Sequence, residues 1–331
     1  MYQFRYDFWD EKRFPGFSSS MRDLYVNSLA YYYRYTMEEA HEDEDLHAID
    51  KLFAYVEYYL AALVKLGYAK KSNYDNILNR INGIKLIKLL NPELRDNLNG
   101  LTYNRIITMN PTPGKYDGLD TIESLQIAMF HELGHIITSS NNKDLEYLQQ
   151  CLKEKYPELI EGNEEYLTDG FKLLDEVAVE NTAETIFYDR QDKKRDKVQT
   201  YRSPILYPEG TFDSNLLEYR EFQELAYRFA LCLDFIPKDD DMNKVIDSLT
   251  RVMFSKEYVS KLYLELTRDK EKGEDLIAML MCMGKIKKAK YQSFGLGDNE
   301  NEQLNASCYY KLFDSISNNY IEEIKKEKVQ S

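Results

Sequence analysis

The sequence predicts an α+β fold that is predominantly α-helical, with a small sheet towards the front of the chain. Three observations carry this. Tyr2, Phe4, Tyr6 and Phe8 alternate with Gln3, Arg5 and Asp7, the period of a strand with one aromatic face. The segment LTYNRIITM, Leu101 to Met109, is rich in β-branched residues and closes at Asn-Pro-Thr-Pro-Gly, so it reads as a short strand and a loop. From Asp45 onward, apolar residues recur at three- and four-residue steps, as on one face of a helix.

Taken in order, Phe14-Pro-Gly-Phe17 turns the chain after the first strand. The tyrosines at 31, 32, 33 and 35 follow; among 28 in the chain, they read as core and surface filler. Ile49, Leu52, Phe53, Val56, Leu60, Leu63 and Val64 mark a helix, with Gly67 at its C-terminal end. Ile77, Ile81, Ile84 and Ile87 form a second apolar series that Asn91-Pro92 stops. Asp120 and Glu123 have the spacing of a capping box and predict a helix from about 120 to 138. Further helices are expected around 144–155, 171–188, 215–234, 243–253, 256–268, 274–288 and 306–327. The charge run DRQDKKRDK at 189–197 reads as a solvated loop or frayed end. The expected organisation is an N-terminal strand and helical region over 1–100, a central core over 101–235 and a C-terminal helical region over 236–331, packed as one unit.

Composition narrows the function classes. The chain has 331 residues, 43% hydrophobic and 30% charged, which is ample for a buried core. With 43 basic against 57 acidic residues the net charge is −14, so no cationic excess exists to displace counterions from nucleic acid or to hold anionic membranes. The same field disfavours acidic peptide partners and tolerates basic ones. Cys151, Cys232, Cys282 and Cys308 form no CxxC pair and suggest a reducing compartment. The N-terminal residues lack a signal-peptide pattern, and the longest apolar run, Leu276 to Met283, has eight residues, too few to span a bilayer. A cytoplasmic location is the expectation, with non-classical delivery left open.

One motif carries chemistry. His131-Glu132-Leu133-Gly134-His135 is an HExxH, and it falls on the helix predicted over 120–138. Residues four apart share a helix face, so both imidazoles can reach one ion. Glu132 lies about a hundred degrees round the helix, within reach of a water on that ion without being a ligand. The chain has only four histidines, and chance would place this motif in such a chain about five times in a thousand. The flanking residues Ile127, Ala128, Met129, Phe130, Ile136 and Ile137 make the helix apolar on most sides, where two histidines and a glutamate are costly unless something satisfies them.

Zinc requires a third protein donor. A metzincin would have Gly at 138 and His at 141, but Thr138 and Asn141 stand there. The remaining histidines, His41 and His47, lie in the acidic stretch HEDEDLH and read as a solvated turn and helix start. Downstream, Glu176, Glu180 and Glu184 fall four apart on one helical stripe among Val177, Ala178, Val179 and Ala183. Any of the three carboxylates could complete the set.

HELGH followed by a helix of the form DExxxENxAE resembles the gluzincin group of zinc metallopeptidases, the thermolysin-like architecture, over roughly residues 101–235. The resemblance implies a zincin-like core with an HExxH active-site helix, one Zn²⁺ per chain, and His131, His135 and Glu176 as its ligands. It implies that Glu180, where thermolysin-like enzymes carry an aspartate, hydrogen-bonds a ligating histidine. The alternative ligand is Glu180, with Glu176 behind it. Gly134 would let the second helix approach closely, and the strand from Leu101 to Met109 would be the edge along which extended peptides bind. The interval from His135 to Glu176 is longer than the compact thermolysin pattern, which points to a divergent branch.

The implied activity is peptide-bond hydrolysis by a metal-activated water with Glu132 as general base and a peptide or protein as substrate. A tyrosine is the expected oxyanion donor, since no histidine remains downstream; Tyr166, Tyr201, Tyr207 and Tyr219 are the candidates, with Tyr219 preferred. The competing reading is a catalytically silent zinc-binding regulatory or interaction protein of the same fold. Glu132 speaks against it, because a structural zinc site has no use for a base. The chain carries no GxxxxGK[ST], GxGxxG or GxSxG.

Overall fold

The computed structural model describes residues 17–35, 42–70, 73–91, 93, 99–113, 120–139, 142–190, 217–293 and 300–330. The expected strand over 2–8 lies outside them. The fold is α+β and mostly helical: α1 (Phe17–Tyr35), α2 (Glu42–Lys65), α3 (Tyr74–Asn82), β1 (Leu86–Leu89), β2 (Gly100–Tyr103), β3 (Ile106–Met109), α4 (Thr121–Ser139), α5 (Asn142–Lys155), α6 (Pro157–Ile160), α7 (Glu164–Arg190), α8 (Leu217–Cys232), α9 (Met242–Met253), α10 (Tyr258–Arg268), α11 (Lys270–Ser293) and α12 (Glu300–Gln330). No described helix is long and apolar enough to cross a membrane.

Contacts divide the chain into two units: Met1–Ser140 with Thr182–Lys194, and Asn141–Asn181 with Arg195–Ser331. Helix α7 is one unbroken element, and its last turns belong to the first unit.

The first unit holds the sheet, of strand order β1-β3-β2. β1 runs parallel to β3, with Leu86 opposite Ile106, and β2 runs antiparallel to it, with Gly100 opposite Met109. The segment expected as one strand over 101–109 is therefore a hairpin. Asn104 (φ 49°) and Arg105 (φ 63°) both take left-handed conformations, as the two central residues of a type I′ turn must. The apolar series expected from Ile77 to Ile87 also changes character midway. α3 ends at Gly83, whose N–H reaches back to the carbonyls of Asn79 and Arg80, and Ile87 passes into β1, where its N–H is bonded by Ser28 Oγ of α1 at 3.1 Å.

Helix α2 lies against α4, where Tyr55, Tyr58 and Tyr59 surround Phe130 with ring centroids 5.5–6.1 Å apart. All of Leu125 to Gly134 is buried. The N-terminus of α4 is closed by the expected capping box: Glu123 N–H donates to Asp120 Oδ1 at 2.8 Å, and Asp120 N–H to Glu123 Oε2 at 3.2 Å.

Among its described residues the second unit has helices and no strand. Its helices α7 and α11 approach at backbone distance. A Cβ on Gly170 would run into the carbonyl oxygen of Leu280, and one on Gly284 into that of Tyr166. A chain of ion pairs ties α10, α11 and the residues after α8 together: Lys272 bridges Asp234 and Glu265 at 2.6 Å each, and Arg268 also pairs with Asp234.

Candidate metal centre

α4 supplies the first two donors. Its capped start and apolar flanks hold it as a continuous helix, so His131 and His135 stand one turn apart on the same face. Their Nε2 atoms are 3.1 Å apart, with ring centroids at 4.7 Å and planes at 81°. Two imidazole nitrogens on one tetrahedral ion, each 2.0–2.1 Å from it, would be separated by about 3.3 Å. The observed pair is close to that separation. His131 is 9% exposed and His135 half-buried.

α7 supplies the third. Donor atoms of His131, His135 and Glu176 all lie within 4.8 Å of one another, the one such group among the described residues. Of the three acids on the expected stripe, Glu176 is the one that joins the two histidines. Glu176 also meets a cation that the sequence did not disclose. Lys287 of α11 places Nζ 3.9 Å from Glu176 Oε1. Burial pushes the Lys287 ammonium down, while the carboxylates of Glu176, Asp169 and Asp175 partly offset this. No spacing rule links positions 176 and 287; only the close packing of α7 on α11 within their unit brings them together.

Glu132 is 6% exposed, and its Oε2 has no hydrogen-bond partner among the described residues. An orphaned buried carboxylate oxygen is expensive in a resting core. Gln126 Nε2 on the same helix is a second buried polar atom without a partner among the described residues. The carboxylate lies directly against Gly100 of β2, while Thr102 Oγ1 donates to the Glu132 backbone carbonyl at 3.3 Å.

The other expected residues fall as follows. Glu180 is buried on α7, at 5% exposure. Gly134 is buried, and its carbonyl accepts from Thr138 Oγ1 at 3.1 Å. Tyr166 lies on α7 with Lys285 and Lys288 over its ring, 4.9 and 5.4 Å from the centroid. Tyr219 belongs to α8, but its side chain is outside the described residues, as are Tyr201 and Tyr207. His47 is exposed on α2, and His41 is outside the described residues. Cysteine chemistry finds no support at the two buried thiols: burial pushes Cys232 up to about 12 and Cys282 up to about 11, so neither presents a thiolate at neutral pH.

No family model, curated protein or solved structure matches the chain.

Proposed function

We propose that the chain is a zinc-dependent metallopeptidase of gluzincin type, with His131, His135 and Glu176 holding the ion and Glu132 acting as general base. The observation that supports this is the meeting of three donors within 4.8 Å on helices α4 and α7, beside a buried carboxylate with an oxygen left unpaired. Two imidazoles and one carboxylate are a donor set suited to Zn²⁺ with an open position. Bound there, the ion would supply a Lewis acid and lower the pKa of a water at that position.

The work of the protein groups follows from their chemistry. Glu132 accepts a proton from the attacking water at Oε2 and passes it to the leaving amine nitrogen of the cleaved peptide bond. Its confinement in an apolar helix keeps bulk water from competing for that oxygen. Lys287 places its ammonium beside the Glu176 carboxylate, at 3.9 Å from Oε1. In this reading Glu180 orients a ligating imidazole and Tyr219 donates to the oxyanion. Peptides are the substrate class, with basic sequences favoured over acidic ones by the net charge of −14.

The test is zinc per chain by inductively coupled plasma mass spectrometry, together with cleavage of a peptide library, on wild type, Glu176→Ala and Glu132→Gln. We expect about one zinc per wild-type chain, a large loss in Glu176→Ala, and in Glu132→Gln full zinc with hydrolysis down by about 10³-fold. Full zinc in Glu176→Ala would transfer the third donor to Glu180. Full zinc with no hydrolysis in any form would leave a metal-binding protein without peptidase activity. No zinc in any form, even after reconstitution, would end the reading.

A further inference from the structure

Gly100 occupies a place where glycine has no backbone reason to be. Among the described glycines only Gly67 and Gly162 have positive φ, so Gly100 has a conformation any residue can adopt. It sits in β2, opposite Met109 in the ladder, and glycine weakens a strand. Replacing such a glycine by alanine ordinarily stabilises, because the unfolded chain has less freedom to lose. The local preference of the strand therefore runs against the residue found there.

The reason lies across the interface with α4, inside the first unit. A Cβ built on Gly100 would stand 2.8 Å from Glu132 Oε1, 2.9 Å from Cγ and 3.1 Å from Cδ. Three atoms of one side chain thus fill the space that any other residue would take. The two backbones are held, so room for an added carbon would have to come from movement of the Glu132 side chain. β2 is fixed to β3 by its register, and Asn110 N–H donates to Asn99 carbonyl oxygen at 2.9 Å just beside Gly100. On the other side, Thr102 ties the strand to the backbone of Glu132 itself. Phe130, Leu133 and Ile137 anchor α4 at 0% exposure.

We propose that Gly100 is the positioning residue for Glu132. The missing side chain is a slot that receives the carboxylate and selects one rotamer of Glu132, leaving Oε2 without a protein partner. The contact stands on its own; its catalytic meaning rests on the metallopeptidase reading.

The test is a double-mutant cycle of Gly100→Ala in the wild-type and Glu132→Ala backgrounds, read by melting temperature, zinc per chain, kcat and KM. With Glu132 present, Gly100→Ala should lower the melting temperature. With Glu132→Ala the slot is empty, and the same change should raise it by about 1–3 °C. Should Gly100→Ala fail to fold alone, folding of the double variant reads the same coupling as rescue. In the zinc-loaded enzyme, Gly100→Ala should lower kcat by about 10²-fold with zinc and KM retained, as for a catalytic group displaced by about 1 Å. Gly100→Ala should add no further loss to Glu132→Gln. An equal rise in melting temperature in both backgrounds would overturn the contact. Unchanged kcat in an active enzyme, or loss of zinc with kcat, would overturn the positioning role alone. A zinc-loaded wild type without hydrolysis would overturn that role and the metallopeptidase reading together.

Discussion

Helices α4 and α7 each carry part of the candidate donor set, yet they are fixed within their own units by different means. α4 is held by side chains: Tyr55, Tyr58 and Tyr59 close round Phe130, and the Arg80 guanidinium donates to the carbonyl of Ile137. α7 is held by backbone, where Gly170 and Gly284 bring it against α11 with no room for a methyl group. Rings can repack round a somewhat smaller neighbour, whereas two main chains in contact cannot absorb one added carbon. The donors on α4 should therefore tolerate conservative change around them better than the donor on α7.

Two substitutions separate backbone packing from ring packing, and a third probes an ion pair of the second unit. Gly284→Ala should have the largest effect, a loss of about 3 kcal/mol by denaturant unfolding, because its Cβ meets the Tyr166 carbonyl and 3.0 Å away the Gly170 nitrogen. A variant as stable as wild type would show that the α7–α11 crossing slides freely. Phe130→Leu should cost less, about 1–1.5 kcal/mol by the same measurement, since it removes ring contacts but keeps most of the volume. If it costs more than Gly284→Ala, the contrast between ring and backbone packing is wrong.

Asp234→Asn should have the smallest effect and a characteristic pH dependence. Burial raises the Asp234 pKa, but hydrogen bonds from Lys272 and Arg268 outweigh it and hold the carboxyl below its ordinary value. A lowered carboxylate contributes stability above its unfolded pKa and loses it as pH falls through the folded one. Asp234 is half exposed, so screening limits the contribution to about 0.5 kcal/mol near neutrality. Urea melts of both forms should differ by that amount at pH 7 and converge in strong acid. A difference that persists there would assign the effect to packing and not to charge.

Much of α4 was legible because its determinants are local. The capping box, the apolar flanks and the HExxH spacing all lie within one helix, and each survives as read. The glutamate stripe on α7 was legible as a set, but the choice of Glu176 needed the tertiary placement of the helix. Two errors came from local rules that tertiary structure overrode. Asn104 and Arg105 enter the left-handed region without a glycine, so the hairpin turn passed for the middle of a strand. α1 is absent from the sequence reading because its tyrosines read only as core and surface filler, whereas Tyr25 and Tyr32 pack as a helix face, with Tyr25 edge-on to Phe53 at 4.9 Å. Lys287 and Gly100 gave no signal at all, since each matters only for what a distant segment places beside it.

The hairpin also orders events in time. β2 and β3 are joined by two residues, so closing them costs little chain entropy and can occur within microseconds. β1 must first close the longer stretch from Leu89 to Ile106, and α4 arrives only after residues 110–120 have been spanned. By loop length, the recess at Gly100 is expected to form with the β2–β3 ladder before the glutamate it accommodates docks. Pulsed hydrogen-exchange labelling during refolding should accordingly protect the amides of the β2–β3 ladder ahead of those linking β1 to β3.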